Sequence, residues 1–435
     1  MSGSLRKSAV NSVMRNNNRV LHHMELAKYK HKAMVELGFC ESNANWAMMS
    51  SLLSDVKHGR VKAADAAGMI SDATGLDIGT VRSKLRSCYQ TGLMEFHATD
   101  VCDLRCIDCH YRDKSDATIP YSSVPGYINA LSPRAVTVTG GGEPNCYSSE
   151  GKNINDLVCL IREISPHLQI GLINNNTHIP DGGWVNHLSW QRSSVDAHDA
   201  ATYEYIKGKD KYSLCIDNIY RMLGSDVPHV GVGFLYRKEN ISGMKSFLLD
   251  WHQRWKKMPP GIKAKINIQF RPISPAIERV PEHDAGSELE SRTSEMVAQV
   301  MAQAQSDACF DEFLRTYTNF YSIDISRKSL YLHEKHSFSK CYNALLHRVL
   351  RSDGSEYPDF LLCNDEEMSL GNVLTSDNAD DERIRIALGT FYFHHRLATQ
   401  YCNDENCRQC WVSGMIERNW DSDISAMGLP DSCFF

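Results

Sequence analysis

The stretch 97-HATDVCDLRCIDCHY-111 sets Cys102, Cys106 and Cys109 in a C-x3-C-x2-C spacing, directly after the short apolar run Leu93–Thr99. Three thiolates on one tight loop can hold three irons of a 4Fe–4S cube and leave the fourth iron without a protein ligand. By the logic that separates catalytic from structural zinc, an open position belongs to a reactive site. A zinc loop is the competing reading: structural zinc takes four ligands, and His97 or His110 would supply the fourth.

The residues downstream of the motif bear on that choice. Leu93–Thr99 reads as a strand, and so do Ala135–Thr139, Gln169–Asn174, Leu188–Val195, Val230–Tyr236 and Ile266–Phe270. Ile154–Ile164, Thr202–Leu223 and Ile241–Trp255 read as the helices between them. Strand–helix alternation predicts an α/β fold with a parallel sheet and right-handed crossovers. Six such units curl into a partial (β/α)6 TIM-type barrel, whose chemistry gathers at the C-terminal strand ends. Cys102 follows the first strand, Gly140 the second and Asn175 the third. The second strand runs into Thr139-Gly140-Gly141-Gly142-Glu143-Pro144. Glycines there permit close backbone approach to a ligand, and the Glu143 carboxylate can accept hydrogen bonds from an ammonium group.

Cys102, Cys106 and Cys109 together with Gly141-Gly142-Glu143-Pro144 resemble the radical S-adenosylmethionine (SAM) superfamily over roughly residues 93–275. Ile173-Asn174-Asn175-Asn176-Thr177 is similar to the family's "TNG" strand end, and Arg192-Ser193-Ser194-Val195-Asp196 to its "RvSiD". The resemblance implies that the three cysteines bind a 4Fe–4S cluster whose open iron is chelated by the methionine part of SAM. It implies that Gly141, Gly142 and Glu143 hold the methionine amino group, that Asn175 belongs to the cofactor site, and that Ser194 and Asp196 lie near the ribose or the methionine carboxylate. It also implies reductive cleavage of SAM to a 5′-deoxyadenosyl radical that abstracts hydrogen from a substrate. Two positions depart from the pattern. The aromatic usual before the third cysteine is Asp108, with Tyr111 as a partial replacement. The TNG glycine is Asn176, which tolerates φ > 0 better than most residues. On the last strand, Arg271 in IQFRP follows Gln269 by two residues; it would meet a carboxylate or phosphate of SAM or substrate, or form a structural ion pair. His178, His187 and His198 read as ordinary histidines rather than catalytic bases.

A second cysteine group lies further on. Cys341, a Ser352-Asp353-Gly354 turn, Leu362-Cys363, Ser369-Leu370-Gly371-Asn372-Val373 and then Cys402-x4-Cys407-x2-Cys410 come in that order. The order resembles the SPASM/twitch extension of radical SAM enzymes, and the number of cysteines fits the shorter twitch form with one auxiliary Fe–S cluster. The resemblance implies Cys341, Cys363, Cys407 and Cys410 as ligands, with Cys402 in reserve. A zinc knuckle at Cys402/Cys407/Cys410 is the alternative.

The remaining features bound the partners. The 435 residues allow two to four domains, read as a helical module over 1–92, the barrel over 93–285, a helical connector over 286–330 (Ser287–Thr316 its helix), and an auxiliary-cluster domain over 331–435. A net charge of −6 disfavours general nucleic-acid coating. No apolar run reaches membrane-span length, and the polar first residues have no signal-like apolar core, so a cytoplasmic protein is expected. Fifteen cysteines, an odd number without a signal, do not suggest a disulfide framework; Cys40, Cys88, Cys146, Cys159, Cys215, Cys309 and Cys433 read as buried filler. The seven basic residues against one acid between Arg6 and Lys32 read as a solvated helical face. Ala63–Met94, broken at Thr74-Gly75, resembles a helix-turn-helix, which a peptide-docking module explains as well as a DNA-binding one. A peptide or protein substrate is expected for the enzyme, with an amino-sugar-type small molecule as the alternative, and flavodoxin or ferredoxin as the reductant. The rival from another class is a non-enzymatic zinc protein with a nucleic-acid-binding N-terminus.

Overall fold

The computed structural model describes residues 23–111, 115–180, 182–273, 285–323, 340–374 and 378–397, with 412–413, 416–417 and 419–421. Its centre is an eight-stranded sheet. In chain order the strands are β1 Leu93–His97, β2 Ala135–Thr139, the two-residue strands β3 Ser148–Ser149 and β4 Lys152–Asn153 of a separate hairpin, β5 Gln169–Asn174, β6 Trp190–Ser194, β7 Val230–Tyr236, β8 Ile266–Pro272, β9 His347–Leu350 and β10 Glu356–Tyr357. The order across the large sheet is β10-β9-β1-β2-β5-β6-β7-β8. Every pair is parallel except β9 with β10. This is a partial TIM-type barrel, with six sequential parallel strands and a C-terminal hairpin added beside β1.

Strands β2 and β7 form where the sequence runs on in apolar residues, threonine and glycine buried almost throughout, whereas β6 and β8 alternate in burial. The continuous run is the pattern of parallel strands covered on both faces. All five residues of β2 are buried. The crossover helices show the complementary pattern. Ile154–Ile164 buries Ile154, Leu157, Val158 and Ile161 on one face and begins at an Asn153/Asp156 capping box. Each of those side chains contributes roughly 1.5–3 kcal/mol on burial.

Two helices expected to be continuous are broken. The span read as Thr202–Leu223 is two helices, Ala200–Lys207 and Tyr212–Gly224. Gly208 ends the first in the left-handed conformation, φ +74°, and a Cβ there would lie 2.8 Å from the carbonyl oxygen of Arg105. The span read as Ser287–Thr316 is Ala285–Ser306 and Ala308–Tyr317, because the Asp307 side chain caps the second helix by accepting from the Cys309 and Phe310 N–H groups.

Four helices, Met24–Glu36, Trp46–Lys57, Ala63–Thr74 and Ile78–Cys88, precede β1. They share one apolar core with the C-terminal helix Ala379–Arg396. The Thr74-Gly75 break is present, with Gly75 left-handed and Asp77 capping the next helix. Arg82 and Arg86 of that helix are ion-paired with Asp381 and Asp380. The solvated-face reading fails at Lys30, which is fully buried and donates to the Leu345 carbonyl at 2.6 Å. No helix among the described residues is long and apolar enough to cross a membrane.

Candidate functional site

The three cysteines sit on the loop that leaves β1, half-buried and in no disulfide. Two backbone bonds hold this loop against the end of the helix Ala200–Lys207: Arg105 N–H to the Lys207 carbonyl and Ile107 N–H to the Ile206 carbonyl, both 3.0 Å. The left-handed Gly208 is what lets the helix end pass beneath Arg105. Burial pushes the Cys106 thiol up to about 12; Lys207 opposes this, while Asp108 and the other two thiols add to it.

The glycine loop after β2 lies directly on the cysteine loop. Gly142 N–H donates to the Thr99 carbonyl at 2.7 Å and Glu143 N–H to the Val101 carbonyl at 2.8 Å. A Cβ on Gly142 would stand 2.1 Å from the Val101 oxygen. Gly140 and Gly141 are both left-handed, at φ +61° and +62°. Glu143 is buried, and its carboxylate accepts from Asn175 N–H (2.7 Å) and from the Asn145 side-chain amide (2.7 Å). Burial raises its pKa to about 7 against those hydrogen bonds. Asn175 also donates its side-chain amide to Asp103 at 2.7 Å. Asn176 takes φ +56°, the conformation for which the family's glycine is suited. The loops after β1, β2 and β5 therefore converge, as the order of motifs predicts.

Ser194 ends β6, half-buried. Asp196, left-handed at φ +59°, accepts from Leu235 N–H at 2.6 Å and is ion-paired with the buried Lys207. Burial alone would lower the Lys207 pKa; Asp196, Cys106 and Asp108 outweigh it and hold the ammonium well above its ordinary value. Arg271 on β8 is half-buried; burial disfavours its charge and Asp196 favours it. Asp108 is ion-paired with Arg237 at 3.4 Å, with side chains 9% and 6% exposed. Tyr111 lies edge-on to His97, centroids 5.1 Å apart, and its hydroxyl meets the Cys363 sulfur at 3.3 Å.

Lys207, Arg237 and Asp103 were not singled out from sequence. Asp103 had a signal, its place inside the cysteine motif. Lys207 had a weaker one, the last helical position before a glycine. Cys146 and His178 read as filler and as an ordinary histidine, yet His178 faces both Asp103 and Cys146.

Cys341 and Cys363 are both buried. Cys363 follows β10 and donates to the Phe360 carbonyl at 2.8 Å. Burial pushes both thiols up to about 12; at Cys341 the Ala344 and Asn343 N–H groups and the Ser413 hydroxyl oppose it. The expected turn joins β9 to β10, with Gly354 at φ +83° and its N–H bonded to the Arg351 carbonyl at 2.8 Å. Cys402, Cys407 and Cys410 lie outside the described residues.

No protein-family profile matches the chain, and no curated protein does. Among solved structures, native anSMEcpe with bound AdoMet is similar, at 16% identity and a TM-score of 0.51, over 74% of this chain and 87% of that one. The same protein with bound AdoMet and Cp18Cys peptide gives 15% and 0.50, over 74% and 87%. Streptococcus suis SuiB bound to precursor peptide SuiA gives 12% and 0.48, over 78% and 74%. Both proteins are radical SAM enzymes, and the chain has the fold of anSMEcpe.

Proposed function

We propose that this chain is a radical SAM enzyme that modifies a peptide or protein. The observation that carries the reading is the half-buried Cys102/Cys106/Cys109 loop at the end of β1, held by the Gly142–Glu143 backbone in a parallel partial barrel. Three thiols and a loop packed so closely that Gly142 has no room for a Cβ fit a site-bound 4Fe–4S cluster with one open iron. When bound, cluster and SAM supply one-electron cleavage of SAM and abstraction of a hydrogen atom from substrate. The chain's own part is placement. Glu143 ties the β2 and β5 loops together through Asn145 and Asn175. Lys207 sets a buried positive charge beside Cys106, and the pair with Asp196 keeps that charge in place. Gly141, Gly142, Glu143, Asn175, Ser194 and Asp196 would hold SAM, and Arg271 would supply the cation for a carboxylate of SAM or substrate.

The C-terminal segment would hold one auxiliary cluster through Cys341, Cys363, Cys407 and Cys410, with Cys402 in reserve. The N–H and hydroxyl groups directed at the Cys341 sulfur suit a cluster ligand. A flavodoxin or ferredoxin would supply the electron. A peptide substrate is favoured because one solved structure of the same fold is described with bound peptide. The helices before β1 would bind a leader segment of that peptide.

Anaerobic purification with iron and acid-labile sulfide analysis, then reduction with SAM and assay for 5′-deoxyadenosine, tests the reading. About eight irons per chain, with 5′-deoxyadenosine formed and lost in Cys106→Ala, are expected for two 4Fe–4S clusters. About four irons with activity would remove the auxiliary cluster. Zinc without sulfide and no 5′-deoxyadenosine would overturn the whole assignment.

A further inference from the structure

Asp103, on the cysteine loop between Cys102 and Cys106, and Cys146 and His178, after β2 and β5, bring one ligand atom each to within 4.8 Å of one another. Cys146 Sγ is 3.6 Å from His178 Nε2, and Asp103 Oδ2 is 3.6 Å from the same nitrogen. One ring nitrogen thus faces a sulfur and an oxygen together. The oxygen is beyond the ~2.7–3.2 Å of an N–H···O hydrogen bond. The two spacings that share this nitrogen instead match edges of a coordination tetrahedron, and the sulfur and the carboxylate oxygen lie within 4.8 Å of each other. With Zn–S about 2.3 Å and Zn–N and Zn–O about 2.0–2.2 Å, the S···N edge is about 3.5 Å and the N···O edge about 3.4 Å.

We propose that Asp103, Cys146 and His178 form a zinc site that shares no ligand with either cysteine group and clamps the β1, β2 and β5 loops around the SAM-binding region. Thiolate, imidazole and carboxylate are the borderline-soft set that zinc accepts, and three protein ligands leave a fourth position for water. Supporting contacts orient the donors, as metal sites require. Asn175 Nδ2 donates to Asp103 Oδ1 at 2.7 Å and Thr177 Oγ1 to Oδ2 at 2.6 Å. Asn218 donates to the His178 carbonyl at 3.0 Å. One group competes: Lys211 Nζ lies 2.8 Å from Asp103 Oδ2. Its side chain is 31% exposed and can swing to solvent when the ion, two positive charges, takes its place. Binding displaces the protons of the Cys146 thiol and the His178 ring.

The test is equilibrium dialysis of the full-length, cluster-loaded protein against zinc under anaerobic conditions, with zinc K-edge absorption on the retained metal. The expected result is one zinc per chain with a single sulfur in its first shell. Cys146→Ser and His178→Gln each weaken binding at least about tenfold, and Lys211→Met tightens it, with the iron content unchanged in all three. No retained zinc, zinc in an all-sulfur shell, or equal affinity in Cys146→Ser and His178→Gln would overturn the proposal. Iron and sulfide are counted on the same samples, so a failure of the zinc site is distinguishable from a failure of the cluster assignment.

Discussion

Gly142→Ala is a sharp probe of how the β2 loop serves the cysteine loop. The new Cβ would stand 2.1 Å from the Val101 carbonyl oxygen and 2.5 and 2.6 Å from the Asp100 carbonyl carbon and oxygen. All three atoms are backbone and cannot rotate aside. A tolerable C···O contact is about 3.3 Å, so the loops must part by about 1.2 Å. That stretch breaks the 2.7 Å bond from Gly142 to Thr99 and the 2.8 Å bond from Glu143 to Val101. Two lost bonds at ~0.5–1.5 kcal/mol each and ~1–3 kcal/mol of overpacking give a destabilisation of roughly 2–6 kcal/mol. Misplacement of about 1 Å costs on the order of 100-fold in rate where geometry is set by positioning. The assay is 5′-deoxyadenosine formation alongside urea denaturation. Gly183→Ala is the control, since a Cβ there meets nothing within 4 Å. If Gly142→Ala kept full turnover and lost less than about 0.5 kcal/mol, the clamp reasoning would be wrong.

Buried charges give further outcomes. Burial, with Arg348 adding to it, lowers the Lys30 pKa from 10.5 to about 7. Between pH 7 and 10 the unfolded chain then binds more protons than the native one, so stability rises with pH, by at most ~1.4 kcal/mol per pH unit. Urea melts at pH 7 and 9 should show this rise and lose it in Lys30→Met; an equal rise in the variant would refute it. Arg237→Met strands the Asp108 carboxylate on the cysteine loop and should cost ~3–5 kcal/mol, against a smaller loss for Asp108→Asn, measured by the same melts. Tyr111→Phe removes the hydroxyl from the Cys363 sulfur and, if the proposed auxiliary cluster is bound there, should lower its reduction potential while leaving that of the proposed SAM-binding cluster in place. An EPR-monitored titration with no shift would remove Tyr111 from that role.

Several barrel strands were legible because buried parallel strands show as short apolar runs between helical segments. Gln169–Asn174 and Val230–Tyr236 have the bounds read from sequence. The convergence of the cysteine and glycine loops was legible for the same reason: strand order fixes which loops share an end. Strands β9 and β10 were not read as sheet members. With four and two residues they carry too little pattern, and their partner β1 is far away in sequence. Lys30 misled because helical position says nothing of the Leu345 carbonyl 315 residues on. The Asp108–Arg237 pair and the meeting of Asp103, Cys146 and His178 escaped for a related reason. Their spacing along the chain has no period, and only the folded loop paths create the contact.

The parallel pairing of β9 with β1 has a consequence for how the chain reaches its native state. Synthesis runs from the N-terminus at ~5–20 residues per second. The helices before β1, the cysteine loop and the six sequential strands all emerge before β9 and the helix Ala379–Arg396 exist. Through that interval one side of β1 is an unpaired strand edge, and the apolar faces of the early helices stay uncovered. Closing contacts of such long range is slow. The nascent protein therefore passes through an open, aggregation-exposed stage in which Cys102, Cys106 and Cys109 are already displayed. The proposed 4Fe–4S cluster would be loaded most readily then, before the C-terminal segment seals that flank of the sheet.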